Sequence, residues 1–236
     1  MHAERQKSLG ILDSVDVPHT ELRRRSLASA PPLLRSARSY TSFSDCDPCR
    51  PFLSMKASMS QWTLVDSTPV LQNQWLQVKK KSYLHEAQPD ITEYFVVERA
   101  PFVVVVAIDG THLLMVRHYR HGTDATYLEL PAGYRDAGES AIDAARRELL
   151  EETGYAAGDA TLLGELHPLP GYIRSSASIV ICPQVRFLGD AIDTNEIEQV
   201  VRVPTARAIE MIVNGEINEM QAVSAILLAN AARPLS

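Results

Sequence analysis

The chain has 236 residues, of which 45% are hydrophobic and 22% charged, a composition typical of a soluble globular protein with one domain and an extension or with two small domains. The formal net charge of −6 is uneven: residues 1–58 carry nine Lys and Arg against six Asp and Glu, whereas residues 59–236 carry 14 against 23. An acidic main part argues against nucleic acid as a partner, because binding to phosphates needs a basic face, and no apolar run approaches the roughly 18 residues of a membrane helix. A small phosphorylated substrate remains compatible with this charge if a cation intervenes.

The first 58 residues predict a disordered extension, because they are rich in Ser, Arg and Pro and lack a period of 2 or 3.6. Residues 22–44 contain five Arg, six Ser and no acidic residue, which resembles an organelle transit peptide. The acidic residues before them fit that interpretation poorly, so a disordered tail or a start codon assigned too early stays open. Cys46 and Cys49 form a lone CxxC pair, a weak signal for a metal or redox site whose role is left open.

The globular pattern begins near Trp62, and residues 59–236 are predicted to form one domain. The predicted strands are 75–83, 91–98, 102–108, 112–119, 127–130, 160–166, 177–187 and 198–203. The predicted helices are 139–153, 206–213 and 220–231. The β-branched run at 102–108 is typical of a strand buried on both faces. Strands first, a helix in the middle and helices at the end favour an α/β fold in which helices flank a mixed sheet.

The predicted helix 139–153 carries three glutamates in an unusual place. Glu148, Glu151 and Glu152 have the spacing i, i+3, i+4 and therefore share a face, while Ile142, Ala145 and Leu149 make an apolar stripe elsewhere. Carboxylates at the negative end of the helix dipole that also repel each other are mildly unfavourable. A hard divalent cation reverses this, because Mg²⁺ is bound by carboxylates together with substrate phosphates.

The segment 133–155 resembles the signature box of the Nudix hydrolases. Gly133, Glu139, Arg147, Glu148, Leu149, Glu151, Glu152 and Gly154 all match in register, whereas Tyr155 replaces an aliphatic residue. The resemblance implies a Nudix α/β/α sandwich and Mg²⁺-dependent cleavage of a nucleoside diphosphate compound, with Mn²⁺ as a possible replacement. It implies that Glu148, Glu151, Glu152 and the Ala132 carbonyl bind metal. It further implies that Glu151 is one of these ligands or helps position the attacking water, that Arg147 orients a glutamate, and that Gly133, Glu139 and Gly154 shape the box. A purely structural role stays open for Arg147 and Glu139.

Segments outside the box resemble the ADP-ribose pyrophosphatase branch: LELPAG at 128–133, VRHYR at 116–120, Pro170 at 15 residues after Tyr155, and the acidic loop and strand at 196–204. By this resemblance we expect Arg99, Arg120 and Gly133 to contact the substrate. Trp75, Tyr83 and Tyr94 are candidates for stacking on adenine, and an exchange of N-terminal strands implies a homodimer. A core role for each aromatic residue, and surface salt bridges for the two arginines, stay open.

The loop after Pro170 departs from the family, because no acidic residue follows within it and the catalytic glutamate of many relatives is absent. Glu196 is therefore the predicted general base, with Glu198 as the second choice. Arg174 in the same loop either contacts a phosphate or faces solvent.

The expected reaction splits ADP-ribose or a related ADP-sugar into AMP and a sugar phosphate. Two alternatives remain: a hydrolase of a GDP- or UDP-sugar, and a non-catalytic Nudix module that binds a nucleotide. The compartment is expected to be the cytoplasm, or an organelle if residues 1–58 act as a transit segment.

Overall fold

The computed structural model describes residues 61–74, 76–189 and 197–235. The predictions for the extension 1–58, for Cys46 and Cys49, for Trp75 and for Glu196 lie outside these residues and stay predictions.

The described chain contains thirteen strands and three helices. The strands are β1 (Trp62–Gln72), β2 (Gln77–His85), β3 (Gln88–Glu98), β4 (Phe102–Asp109), β5 (His112–Arg120), β6 (Ala125–Glu129), β7 (Ala132–Tyr134), β8 (Tyr155–Ala157), β9 (Thr161–Leu166), β10 (Ile173–Arg174), β11 (Ala177–Cys182), β12 (Val185–Phe187) and β13 (Ile197–Pro204). The helices are α1 (Ala141–Thr153), α2 (Thr205–Val213) and α3 (Met220–Ala232).

The main sheet is mixed and has helices on both faces, as predicted. Its order is β13-β5-β4-β11-β9, with β6 added to β5 and β7 to β4, and β11 runs parallel to β4. Val103 and Val105 of the central strand pack with α1, whereas Val104 and Val106 pack with α2 and α3 on the other face. The β-branched run is therefore buried on both faces, which confirms the prediction made for it.

A second sheet has the order β1-β2-β3-β10, in which β1, β2 and β3 are antiparallel and β10 joins β3 in parallel. The loop after Pro170 is thereby attached to the end of β3, because the N–H of Val97 donates to the carbonyl of Tyr172 at 2.8 Å and the N–H of Arg99 donates to the carbonyl of Arg174 at 3.2 Å. This places Arg99 and the loop beside the start of the central strand.

Several elements differ from the sequence prediction. All eleven residues of β1 are exposed. Because neither face of the strand is buried, its sequence needs no regular alternation of apolar and polar residues, and the strand was not predicted. The predicted strand 177–187 divides into β11 and β12 on either side of Pro183, which has no N–H to donate to a ladder. β7, β8 and β10 have only two or three residues and were also missed. Among the described helices, none combines the length and hydropathy needed to cross a bilayer.

Candidate active site

Helix α1 carries the box residues and is capped at both ends. The Ser140 hydroxyl accepts a hydrogen bond from the Asp143 N–H at 3.1 Å, so the helix begins two residues later than predicted and Glu139 lies before the cap. Gly154 ends it with a φ of 73°, a left-handed conformation that favours glycine. Ala145 and Leu149 are buried against the sheet as predicted.

The remaining stripe residue, Ile142, is only partly buried, and Ala144 packs in the core beside Ala145 instead. Alanines at these two positions pack with Val103 and Val105, so the buried face of the helix is shifted from the predicted stripe toward Ala144.

Arg147 holds the acidic cluster together. Its Nε donates to Glu139 Oε1 at 3.0 Å and its Nη1 to Glu148 Oε1 at 2.8 Å and to Glu151 Oε2 at 3.1 Å. Its Nη2 donates to Glu139 Oε2 and to the carbonyl of Tyr134, both at 2.9 Å. The hydrogen bonds to Glu139, and then those to Glu148 and Glu151, raise the pKa of Arg147 above its usual range although burial opposes this. One guanidinium therefore organises three carboxylates.

Glu139 joins the loop before α1 to this arginine. Its carboxylate also accepts the N–H of Asp136 at 2.9 Å, and its carbonyl accepts the Arg135 Nη2 at 2.7 Å. Hydrogen bonding by Arg147, followed by the Asp136 N–H, lowers the pKa of Glu139 to about 2. The carboxylate thus bridges loop and helix, the placement that a role in shaping the box requires.

Glu148 lies against the backbone of Gly133. Its side chain is 12% exposed, and a Cβ placed on Gly133 would stand 2.1 Å from the Glu148 Cδ. Only glycine leaves this space for the carboxylate. Burial raises the pKa of Glu148, against the opposing effect of Arg147.

The other two glutamates of the cluster differ in their surroundings. The Glu151 side chain is 40% exposed, whereas Glu152 is 8% exposed and its Oε2 accepts the N–H of Ala132 at 3.1 Å. At Ala132 the contact with Glu152 is made by the N–H, and the role of the Ala132 carbonyl stays a prediction.

Within the residues that the structure describes, no three His, Cys, Asp or Glu side chains converge as a preformed metal site. Arg147 draws Glu148 and Glu151 to itself, while Glu152 is directed to the Ala132 N–H. The carboxylates of Glu148, Glu151 and Glu152 nevertheless fit a hard cation, because they share one helix face and offer oxygen ligands. Glu148 fills the space above Gly133, where burial disfavours its charged form and a cation would favour it.

Arg99 and Arg120, the two arginines among the three predicted substrate contacts, have different environments. The Cζ of Arg99 lies 5.0 Å from the centre of the Tyr134 ring, and no described acidic side chain forms an ion pair with it. Burial, and then repulsion by Arg120, lowers the pKa of Arg99. Arg120 instead binds Glu129, with its Nε at 2.9 Å and 3.1 Å from the two carboxylate oxygens. Part of the hydrogen-bonding capacity of the Arg120 guanidinium is therefore already used by Glu129.

Glu129 was missed in the sequence analysis. It is only 3% exposed and stands in the LELPAG segment between Leu128 and Leu130, so a charge inside an apolar strand was the available signal. An ion needs a partner at such a position, and Arg120 of the neighbouring strand supplies it.

A cavity of about 600 Å³ opens beside Arg99. Its lining includes Lys81, Tyr83 and Tyr94 from the second sheet and Arg174 and His167 from the chain on either side of Pro170. The structure thus brings Arg99, Arg174 and two of the three candidate aromatics together. Glu198 lies elsewhere, exposed near the start of β13, where it accepts the Thr126 hydroxyl at 3.2 Å.

Comparisons with known proteins bear on these observations. The NUDIX domain model matches residues 98–222. The ADP compounds hydrolase NudE of Escherichia coli (strain K12) is 35% identical over 128 residues, covering 53% of this chain and 68% of that protein. The ADP-ribose pyrophosphatase of Bacillus subtilis (strain 168) is 28% identical over 134 residues, covering 56% and 72%. A GDP-mannose pyrophosphatase of Salmonella typhi is 31% identical over 121 residues, covering 47% and 62%.

A crystal structure of an ADP compounds hydrolase superposes with a TM-score of 0.65 at 27% identity, covering 74% of this chain and 95% of that one. The fold, the box in α1 and the matched family model all indicate the same family. The chain therefore belongs to the Nudix family of pyrophosphohydrolases.

Proposed function

We propose that this protein hydrolyses the pyrophosphate bond of ADP-ribose or a related ADP-sugar, giving AMP and a sugar phosphate, with Mg²⁺ or Mn²⁺ bound at the box. The observation that carries the proposal is the set of box carboxylates gathered by Arg147 next to a cavity lined by Arg99 and tyrosines. The similarity to an ADP compounds hydrolase and an ADP-ribose pyrophosphatase supports the choice of an ADP compound.

Glu148, Glu151 and Glu152 would hold the ion, with the Ala132 carbonyl as a further ligand. A bound divalent cation supplies charge neutralisation of the pyrophosphate and Lewis-acid polarisation of its oxygens. Gly133 lets the Glu148 carboxylate lie against the backbone, and Arg147 with Glu139 fixes the end of α1 relative to the loop. These residues therefore position the carboxylates before a substrate arrives.

Water is the nucleophile in this reaction. Its oxygen forms a bond to one phosphorus while the bridging P–O bond breaks, and its proton passes to a carboxylate. Glu151 is the most exposed of the three helix glutamates, and this exposure supports the proposal that it positions the water. Glu196 remains the proposed general base, with Glu198 as the second choice.

Arg99 is the better supported substrate contact, because its side chain has a Tyr134 face beside it and no described ion-pair partner. Its guanidinium suits phosphate or ribose oxygens. Arg120 would reach a substrate only with the donors that Glu129 leaves to it.

Purified protein incubated with ADP-ribose and Mg²⁺, followed by mass spectrometry of the products, tests the proposal. AMP and ribose 5-phosphate are expected. Neither product at high enzyme concentration would refute it, and nucleotide binding without turnover would instead identify a non-catalytic module.

A GDP-sugar is the second candidate, because a GDP-mannose pyrophosphatase is 31% identical over 121 residues. The ranking of kcat/KM over ADP-ribose, GDP-mannose and a UDP-sugar separates the two. The larger value for GDP-mannose would replace the ADP-sugar assignment.

A homodimer is part of the proposal. The exposed side chains of β1 include Leu64, Val65, Val70 and Leu71, which supports a partner on this strand. Light scattering of the purified protein measures the mass directly. The compartment is proposed to be the cytoplasm, or an organelle if residues 1–58 act as a transit segment, and N-terminal sequencing of native material decides whether these residues are present in the mature protein.

A further inference from the structure

One face of the second sheet forms a wall of the 600 Å³ cavity. Alternate residues of a strand share a face, so Lys79, Lys81 and Tyr83 point the same way. In the register of β2 with β3, Lys81 pairs with Tyr94 and Lys79 with Val96, which adds Tyr94, Val96 and Glu98 to that face. The wall therefore combines two tyrosines, whose ring centres are 5.8 Å apart, with a charged end.

The charged end contains more cations than carboxylates. Lys79 Nζ lies 2.7 Å from Glu98 Oε2, Lys81 Nζ 2.7 Å from Glu98 Oε1, and Arg174 Nη1 3.5 Å from the same Oε1. Three cations thus share one carboxylate, although the Lys81 side chain is only 7% exposed. Hydrogen bonds from Lys79 and Lys81 lower the pKa of Glu98 to about 2, so it is ionised at neutral pH and still leaves an excess of positive charge.

The remaining charges of the cavity do not cancel this excess. Arg99 and Glu165 also line it, one of each sign, so the balance stays positive. Within the described part of the chain, the buried Lys81 shares its counter-ion Glu98 with two other cations, and such a cation is costly unless a further anion completes the site. The positive charge and the tyrosines of the cavity therefore favour a ligand that has both a negatively charged group and an aromatic ring.

The cavity is also next to the box. Arg99, at its edge, lies over the ring of Tyr134, and the carbonyl of Tyr134 accepts Arg147 Nη2 at 2.9 Å. A substrate whose pyrophosphate lies at the box therefore has space for its nucleoside in the cavity, whose volume falls within the usual range for ligand sites. A negative group at the Lys81 end then belongs to the nucleoside and is additional to the pyrophosphate.

We propose that the cavity binds a nucleoside that carries a phosphate monoester on its ribose, so that ADP compounds with this additional phosphate bind more tightly than ADP-ribose itself. Lys81 and Arg174 donate to the phosphate, and Tyr83 and Tyr94 contact the base. This inference rests on the proposed function for the position of the pyrophosphate, but it is tested by binding alone.

Isothermal titration calorimetry of the full chain with AMP, adenosine 2′,5′-bisphosphate and adenosine 3′,5′-bisphosphate tests it. At least one bisphosphate is expected to bind roughly tenfold more tightly than AMP, as one charge-assisted hydrogen bond would give. In Lys81→Met and in Arg174→Gln this ratio falls toward one. Arg174 is 75% exposed at its side chain, so its replacement tests the site even if Lys81→Met fails to fold.

Lys80→Met is the matched control. Lys80 lies on the opposite face of the same strand and pairs with Glu93 at 2.9 Å, so its loss should leave the ratio unchanged. Equal affinity for AMP and both bisphosphates overturns the proposal, and so does a ratio that Arg174→Gln leaves intact, whether or not Lys81→Met folds. Because binding needs no turnover, failure to hydrolyse ADP-ribose would refute the proposed function without deciding this result.

Discussion

Replacing Gly133 by alanine is expected to lower the activity of the enzyme while leaving the stability of the fold nearly unchanged. The added Cβ would stand 2.1 Å from Glu148 Cδ and 2.2 Å from both carboxylate oxygens, whereas ordinary contact begins near 3.4 Å. The carboxylate must therefore move by more than 1 Å. The clash involves the end of a flexible side chain and the φ of Gly133 is not positive, so the backbone can remain in place.

A displacement of about 1 Å at a reacting group costs on the order of 100-fold in rate. We therefore expect Gly133→Ala to lower kcat/KM for ADP-ribose by about two orders of magnitude while the free energy of unfolding changes by less than about 1 kcal/mol. Steady-state kinetics and urea denaturation measure the two quantities. Gly164→Ala is the control, because its Cβ would meet only Leu228 Cδ2 at 3.7 Å. A kcat/KM within threefold of the unmodified protein, or a loss of stability above about 3 kcal/mol, would refute the reasoning.

Three further predictions concern the same cluster. Glu152→Gln should lower kcat by orders of magnitude and leave the melting temperature nearly unchanged, because the amide oxygen can still accept the Ala132 N–H; a near-normal rate would contradict a role as metal ligand. Arg147→Lys should lower the free energy of unfolding by about 2 kcal/mol, because the two hydrogen bonds to Glu139 are lost. Urea denaturation measures this change. Arg146→Lys is the control, because the contact of Arg146 with a carboxylate is a 3.8 Å ion pair with Asp143. The folded-state pKa of Glu139 is lowered to about 2, so its contribution is present above the unfolded value near 4.5 and is lost as the pH falls toward 2. Urea denaturation from pH 5 to pH 2 should show a shallower loss in Glu139→Gln, and an unchanged slope would exclude this contribution.

The sequence predicted the main sheet and the helix of the box well because both are encoded locally. The β-branched run of β4 and the helix ended by Gly154 each follow from a pattern within a few residues. The contacts of the box glutamates depend on tertiary structure instead. Arg147 bonds to Tyr134 across 13 residues, and Glu152 to Ala132 across 20, so their partners could not be read from helical spacing.

The second sheet was harder to predict for a physical reason. The run of three lysines at 79–81 has no apolar alternation, and only the pairing of β2 with β3 reveals that Lys79 and Lys81 face Glu98 while Lys80 faces Glu93. Arg120 and Glu129 are a similar case, since two residues of adjacent strands find each other only when β5 pairs with β6.

Arg147 would also separate folding from the ion binding that we propose. In many small metal-binding domains the ligands repel one another until the metal binds, and the chain is unfolded without it. Here a guanidinium within the same helix supplies the opposing charge, so the carboxylates can be assembled during folding. In the proposed function a cation would replace an existing partner in an ordered helix, and the site could be emptied and refilled while the fold persists.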